Sequence, residues 1–534
     1  MDGHNSTSTL EPLFIFLQYS FTQLEATFYK LPGSHVVARY VKSSHQNDPG
    51  RTVLEILLFF FLVRTVLQRR TRADSGGKHF IQFSEKEIDE LVEEWTPEPL
   101  GKPLSPSEEA DLASVPVITG ANGPRPKLLN HSKPVLNLAS YNFAGLAGNE
   151  VIKERAIETL RKYGLGSCGP PGFYGTIDVH MELEKNISEF LGTESTILYS
   201  QAFHTVSSVI AAFCKRHDVV IADRGVNFAI QKGLQISRST IRWFDHNDLK
   251  SLEDVLISVE KDRKKRRGPL TRRFIVTEGI FEKDGAMVDL PRLIELKNKH
   301  KYRLILDESF SFGTIGRTGR GLTELYNVPA TQVDMLVGSV ANGLNSSGGF
   351  CAGTKTVVEH QRINGTAFVF SAAGPALQAV SASEGINILQ NTPSIMTTLQ
   401  ENIHAVRTVL DRVDCLSVPS HPASAIIHLH VRPASSMFLS PHTTAGKPSN
   451  PSSIQARDPP VFDIESEERA LQEIVEECLA QGVWITRAKR LRGQEWVEAR
   501  PSIRLAISSA ITRRDCEKAA HVIKAAAIKV LRRR

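Results

Sequence analysis

The chain has 534 residues, and its 41% hydrophobic and 23% charged content is that of a globular protein with a large core. Its formal net charge of +6 is small for this length, and aromatic residues do not alternate with basic ones, so the composition does not favour a nucleic-acid partner. The six cysteines are scattered without paired spacing, which predicts reduced thiols in a cytosol-facing protein; no metal site is predicted.

Residues 1–75 are predicted to be membrane-proximal. The apolar run at 56–63 favours one membrane-spanning helix over about 52–68, although Glu55 and Arg64 interrupt it. An interfacial or core helix is the alternative. Three basic residues follow this run, namely Arg69, Arg70 and Arg72. They predict that most of the chain lies in the cytosol.

Residues 76–130 are polar and rich in proline, which predicts a linker that ends in an arm. From residue 131 to 384, short β-branched runs alternate with longer helical patterns. This alternation predicts an α/β domain with a mostly parallel sheet and helices on both faces. Polar residues fall where three of the predicted strands end, which is where open α/β sheets bind ligands; they are Asp223, Glu278 and Asp307.

Residues 385–534 are predicted to form a smaller α+β C-terminal domain. Within it, the segment from about 432 to 460 is rich in Ser, Pro and Thr. Such a composition cannot bury a core, and it predicts a disordered surface insertion.

Several motifs follow one another in a recognisable order. A glycine-rich segment spans 166–184, acidic and glycine residues recur at 278–285 and 307–321, and Ser339-x-x-Asn342 precedes the pair Gly348 and Gly349. Together they resemble the α-oxoamine synthases, pyridoxal-phosphate (PLP) enzymes of fold type I. Members of that family condense an amino acid with an acyl-CoA and release CO2. The resemblance is close over about 135–380 and looser in the C-terminal domain.

The resemblance implies specific groups, and several of them are missing. Asn342 occupies the position of the Schiff-base lysine, and an amide cannot form that bond. Asn227 and Phe310 stand where the family has two histidines. Asp307 matches the acid that faces the cofactor ring, and Ser339 matches a hydroxyl near its phosphate; both are interpreted as vestigial. No catalytic residue is therefore predicted in this chain.

Two further observations bear on the missing nucleophile. Residues 486–490 lack the arginine motif that anchors the substrate carboxylate in the family. Lys355 is the alternative nucleophile, although an ordinary surface lysine on the next element is the simpler interpretation. These combined losses resemble one branch of the family, the non-catalytic long-chain-base subunits of serine palmitoyltransferases. The segments similar to that branch are 163–170, 172–176, 228–235, 271–275, 307–313 and 348–351.

This branch implies a heterodimer with a lysine-bearing homologue that holds PLP. The pair is expected to condense L-serine with palmitoyl-CoA to 3-ketosphinganine at the endoplasmic reticulum membrane. The resemblance also implies small activating subunits and inhibitory regulatory membrane proteins. The second hypothesis is a membrane-anchored pseudoenzyme that acts as a scaffold or sensor without a role in acyl transfer.

Three residues are predicted at the subunit interface from the same resemblance. Ser371 matches a hydroxyl that reaches the phosphate of the neighbouring subunit's cofactor, and a turn or cap role is the alternative. Cys168 and Tyr174 lie on the glycine-rich segment, where they are predicted to line the interface or the pocket. A packed small thiol is the alternative for Cys168.

Overall fold

The computed structural model describes residues 19, 22–23, 25–67, 83–97, 100–101, 103–129, 131–266, 271–432, 464–489, 491 and 493–532. The chain divides into an N-terminal unit, Met1–Ala110, and a C-terminal unit, Asp111–Arg534. The predicted insertion at about 432–460 lies outside the described residues, apart from Arg432.

The N-terminal unit is helical. Helices α1 (Ser34–Asn47), α2 (Pro49–Leu67) and α3 (Glu85–Glu94) lie within it, and α4 (Pro106–Ala113) begins near its end. Two of these helices fall inside the predicted linker at 76–130. Each of the two starts with a serine paired to a glutamate three residues later, a local signal for helix initiation.

The prediction of a membrane-spanning helix at about 52–68 is not supported. Helix α2 covers most of that range, but no helix among the described residues is both long and apolar enough to cross a membrane. The reason lies in its charges. Arg51, Glu55 and Arg64 all belong to α2, and charged side chains are costly in a bilayer.

The C-terminal unit is built on a mixed seven-stranded sheet, which confirms the predicted α/β fold. The strand order is β2-β8-β7-β6-β5-β3-β4, and only β8 runs against its neighbours. The strands are β2 (Ser195–Tyr199), β3 (Val219–Asp223), β4 (Thr240–Phe244), β5 (Arg273–Glu278), β6 (Arg303–Asp307), β7 (Met335–Ser339) and β8 (Gly349–Gly353).

Helices connect these strands, and the central strands are buried nearly throughout because β-branched and leucine residues fill them. Two helices precede the sheet, α5 (Glu150–Tyr163) and α6 (Asp178–Leu191). The connecting helices are α7 (Ala202–Phe213), α8 (Phe228–Ser237), α9 (Leu249–Arg266), α10 (Leu290–His300), α11 (Leu322–Leu325) and α12 (Val340–Leu344), and three helices follow β8, namely α13 (Lys355–Asn364), α14 (Thr366–Val369) and α15 (Ala376–Asn391).

A second, antiparallel sheet of four strands follows in the order β12-β13-β10-β9, and β1 pairs with β11 in parallel. Three long helices accompany these strands. The strands are β1 (Leu136–Asn137), β9 (Leu416–Ser417), β10 (Ile426–Val431), β11 (Val483–Trp484), β12 (Thr486–Arg487) and β13 (Ile503–Ala506), and the helices are α16 (Ser394–Leu410), α17 (Ile464–Ala480) and α18 (Arg513–Arg532).

The topology determines where the polar strand ends lie. Strands β3, β5, β6 and β7 are parallel neighbours, so their carboxyl ends meet at one edge of the sheet. The residues at those ends are Asp223, Glu278, Asp307 and Ser339.

Candidate functional site

The carboxylate of Asp307 is the centre of the polar cluster at this edge. Its side chain is buried, and one oxygen accepts a hydrogen bond from Nδ2 of Asn227 at 3.0 Å. The other oxygen accepts from the backbone N–H and the hydroxyl of Ser309, at 2.9 and 2.6 Å. Burial raises the pKa of Asp307, and these hydrogen bonds oppose the shift. Both oxygens are therefore engaged by side chains of this chain.

Asn227 stands where the family resemblance leads us to expect a histidine. Its Oδ1 accepts from the N–H of Ile230 at 3.0 Å and so caps helix α8, while its Nδ2 reaches Asp307. Its own N–H donates to Oε1 of Glu278 at 2.6 Å. Burial, and then the charge of Asp307, raise the pKa of Glu278 well above its usual range. An amide serves this position because it offers an acceptor and a donor at once.

Asn342 lies on helix α12, and its Nδ2 donates to the carbonyl oxygen of Ser309 at 3.0 Å. Three residues earlier, Ser339 is fully buried, and its hydroxyl accepts from the N–H of Ala341 at 3.1 Å at the start of the same helix. The structure thus brings Asp307, Ser339 and Asn342 to one edge of the sheet, as the sequence predicted. Both the serine hydroxyl and the asparagine amide already have partners within the chain.

Lys355 is remote from this cluster. Strand β8 runs antiparallel to β7, with Gly349 opposite Ser339 and Gly353 opposite Met335. Lys355 follows the end of β8, so it lies at the opposite edge of the sheet, about 16 Å away for five residues of strand. It is exposed at the start of α13, and it cannot replace the missing amine at Asn342.

Phe310, at the second expected histidine position, belongs to an aromatic stack. Its ring meets that of Tyr141 edge-on, with 5.4 Å between centroids. The Arg504 guanidinium lies 4.5 Å from the Tyr141 ring centroid and donates to its hydroxyl at 2.6 Å. Burial raises the pKa of Tyr141 to about 12. Arg504 therefore binds Tyr141, and the arginine side chain reaches the site from strand β13.

One histidine at this edge was missed by the sequence analysis. The two ring nitrogens of His246 each lie 2.9 Å from a carboxylate, that of Asp223 on one side and that of Asp284 on the other. Burial lowers the pKa of His246, but the two hydrogen bonds outweigh it and raise the pKa to about 10. The only sequence feature that could have indicated a role for His246 is its position two residues after the end of strand β4.

The glycine-rich segment forms a second region with different properties. Cys168 and Tyr174 are both exposed, and both adopt positive φ angles, 61° and 66°, which non-glycine residues rarely do. The loop also depends on close backbone approach, because a Cβ at Gly175 would overlap the backbone oxygen of Gly169. Large apolar side chains are exposed beside it, a property typical of interaction surfaces; they are Leu165, Phe173, Met181 and Phe370.

Hydrogen bonds join this loop to the segment that contains Ser371. The Ser167 hydroxyl donates to the Ala373 carbonyl at 2.7 Å, and the Ala373 N–H donates to the Gly169 carbonyl at 3.0 Å. His180 accepts from Ile177 at Nδ1, so its Nε2 carries the proton that reaches Gly374 at 2.7 Å. His180 thus joins the start of helix α6 to the segment that contains Ser371.

Ser371 itself lines a pocket between this loop and the sheet. The cavity reaches Val340 and Gly349, which flank the Asn342 region in sequence, and mostly apolar side chains complete it. Cys168 and Tyr174 are not among its lining residues. The structure therefore brings Ser371 towards the pocket and leaves the other two predicted interface residues on the outer surface of the loop.

The fold and these motifs define the class of the protein. Residues 133–523 match the model of the aminotransferase class I and II family, and the chain belongs to this family. More closely, it is a homologue of serine palmitoyltransferase subunit 1. Serine palmitoyltransferase 1 of Saccharomyces cerevisiae is 36% identical over 512 residues, which cover 93% of this chain and 92% of that protein.

Other relatives agree with this assignment. Serine palmitoyltransferase 1 of Dictyostelium discoideum is 37% identical over 83% of this chain and 87% of its own length. Long chain base biosynthesis protein 1 of Arabidopsis thaliana is 41% identical over 66% of this chain and 72% of its own length. The recognition made from the sequence is confirmed.

Solved structures show the same fold. A serine palmitoyltransferase with a PLP internal aldimine superposes with a TM-score of 0.66 at 20% identity, covering 83% of this chain and 98% of that one. The enzyme from Sphingomonas wittichii gives the same values. 8-amino-7-oxononanoate synthase from Francisella tularensis has a TM-score of 0.56 at 18% identity over 73% of this chain and 97% of its own.

The residues at the Asn342 site do not fit a covalently bound PLP. No amine is present at position 342, and the carboxylate of Asp307, which the family resemblance pairs with the cofactor ring, already accepts hydrogen bonds from Asn227 and Ser309 at its two oxygens. Among the described residues, no group of three or more metal-ligating side chains could hold a metal ion either.

Proposed function

We propose that this chain is the non-catalytic subunit of a serine palmitoyltransferase and works as a heterodimer with a lysine-bearing homologue. The observation that carries the proposal is Asn342, which stands in place of the Schiff-base lysine and donates its amide N–H to the carbonyl oxygen of Ser309. The hydrogen bonds of Asp307 support it, because both of its oxygens already have partners within this chain. The chain is therefore inactive alone.

The partner subunit holds PLP in this proposal, and the pair condenses L-serine with palmitoyl-CoA to 3-ketosphinganine, the first step of sphingolipid biosynthesis. PLP supplies the partner with an electron sink for the amino-acid carbanion. This chain contributes the exposed edge formed by the glycine-rich loop and the Ser371 segment. Exposed Leu165, Phe173 and Phe370 supply apolar area that a subunit interface would bury.

Within that interface, we assign Ser371 a hydrogen bond to the partner's cofactor phosphate. Cys168 and Tyr174 line the contact between the subunits. Their exposed side chains and positive φ angles support this role, because a partner that packs on them would stabilise a strained backbone. Small activating subunits and inhibitory membrane proteins are further partners of the complex in this proposal.

We propose that the complex resides at the endoplasmic reticulum membrane, with most of this chain in the cytosol. The exposed apolar side chains of α2 support contact with a lipid surface, and they include Phe59, Phe60 and Phe61. Fractionation of cells that express a tagged chain tests this. Recovery of the chain in the soluble fraction, with the lysine-bearing homologue on membranes, would contradict it.

The test of the function is a three-way expression experiment. The chain alone, the lysine-bearing homologue alone and both together are purified and assayed for 3-ketosphinganine formation from L-serine and palmitoyl-CoA. Only the co-expressed pair should be active, and borohydride should reduce an adduct on the homologue only. Activity or a reducible adduct on this chain alone would overturn the proposal. Unchanged long-chain-base synthesis after deletion of the gene would instead favour the scaffold hypothesis.

A further inference from the structure

Helix α3, Glu85–Glu94, has an unusually well-defined start for a short exposed helix. The Ser84 hydroxyl accepts from the N–H of Glu87 at 3.3 Å, and Oε2 of Glu87 accepts from the N–H of Ser84 at 2.7 Å. Phe83 precedes this capping box and Ile88 occupies the fourth helical position, the spacing of a hydrophobic staple. The local sequence therefore specifies where this helix begins.

The helix presents one apolar face. Ile88, Leu91, Val92 and Trp95 follow one another at intervals of three, one and three residues, which align on one side of a helix. All four are exposed, Val92 to 66% and Trp95 to 70%, and no residue of the helix is buried. A helix of ten residues is marginal in water, so this face needs a cover to be stable.

Charge determines what kind of surface can cover it. The helix carries six acidic residues and one basic residue. By helical spacing, Glu87 and Glu94 flank the apolar face on one side, and Glu85 and Asp89 flank it on the other. The single cation, Lys86, pairs with Glu90 at 3.7 Å on the opposite face. Acidic flanks on both sides are repelled by anionic lipids and are complemented by a protein groove with lysine and arginine rims.

We propose that α3 docks in an apolar groove, rimmed by lysine and arginine side chains, on the lysine-bearing partner subunit. This inference rests on the proposed heterodimer and adds a second contact to it, separate from the glycine-rich edge. The binding mode is that of an amphipathic helix in a groove, with Leu91, Val92 and Trp95 as anchors. The acidic flanks determine the orientation of the helix and the choice of partner.

Site-specific photo-crosslinking in the full chain tests this. A photoreactive amino acid replaces Val92 on the apolar face, and in a matched control it replaces Glu90 on the opposite face. Both chains are co-expressed with the homologue, and the heterodimer is first isolated through a tag on the homologue. The Val92 probe should crosslink to a homologue segment that contains lysine or arginine, and the Glu90 probe should not.

A variant adds a quantitative readout. Leu91→Ala preserves helix propensity and removes an anchor, so it should lower the Val92 crosslink yield at least about tenfold. Glu93→Gln on the back of the helix should leave the yield unchanged. If the subunits co-purify but the Val92 probe crosslinks to residues 111–534 of its own chain, to lipid or to nothing, the docking proposal is overturned and the heterodimer stands. If the subunits do not co-purify, the proposed function itself fails.

Discussion

The Asn342 site and the glycine-rich loop are opposite in character, although the fold places both beside the same cavity. At the Asn342 site, Asp307 and Asn227 complete each other's hydrogen bonds and are buried. On the loop, Cys168 and Tyr174 are exposed with positive φ angles. The difference shows that the polar groups of the first region are paired within the chain, whereas the loop leaves large side chains exposed on a strained backbone. In the proposed function, the loop is the region that contributes to the complex.

The largest effect is expected from the buried acids of the first region. Glu308 is fully buried, and burial raises its pKa to about 7 from its usual value of 4.5. A carboxyl whose pKa rises on folding stabilises the protein below its unfolded pKa and loses that contribution as pH rises through the folded pKa. Stability should therefore fall by about 3 kcal/mol between pH 4.5 and 7 from Glu308. Asp307 and Glu278 shift in the same direction.

Glu308→Gln should flatten this dependence, since the amide oxygen can still accept from Leu322 N–H and the Ser311 hydroxyl. Urea unfolding of both proteins at several pH values between 4.5 and 7 measures it. The control is Glu182→Gln, on the exposed surface of α6. Parallel pH curves for the wild type and Glu308→Gln would show that this acid does not govern the pH dependence.

The second prediction concerns the loop. Gly175→Ala forces a Cβ against the Gly169 carbonyl, and overpacking of this kind costs about 1–3 kcal/mol. The loop must shift, so partner binding should weaken roughly tenfold to a hundredfold. Quantitative co-purification with the homologue measures the loss. In the control, Gly172→Ala, the added Cβ meets nothing within 4 Å. Equal binding by both variants would mean that the loop conformation is irrelevant to assembly.

A smaller effect is expected from Ser371→Ala. Loss of a hydrogen bond to a charged phosphate costs about 1.5 kcal/mol at the low end of the usual range, so the heterodimer should retain PLP at least roughly tenfold less tightly. Dialysis followed by measurement of bound PLP checks this. Ser371→Thr, which retains a hydroxyl, should restore retention. Normal retention of PLP by the Ser371→Ala variant would mean that Ser371 has only a structural role in a turn.

The smallest effect is expected from Asn342→Lys, which should not create a Schiff base with PLP or any catalytic activity. The new amine would face a carboxylate already bound by Asn227 and Ser309, with Phe310 in place of a histidine. Borohydride treatment of the purified variant, with the homologue as positive control, should give no reduced adduct. Turnover by this variant alone would contradict the interpretation of the whole site.

The sequence analysis located the features of the site that depend on local sequence patterns. Asp307 was located because polar residues end recognisable strands, and Ser339 and Asn342 were located through the resemblance to a family motif. Parallel strand order brings these strand ends to one edge of the sheet. His246 was not identified from the sequence, because its partner Asp284 is 38 residues away and no motif links the two residues. The apolar run at 56–63 led to the prediction of a membrane span, and no helix among the described residues is long and apolar enough for one. Helix α3 was missed although Ser84 and Glu87 form a readable capping box.

The double role of Asn227 has a consequence for substitution at this position. Its Oδ1 accepts from Ile230 at the start of helix α8 while its Nδ2 donates to Asp307, so both ends of one amide are in use. A replacement side chain must therefore offer an acceptor towards the helix and a donor towards the carboxylate at the same time. Position 227 thus couples the start of a helix to the polar cluster at the strand ends.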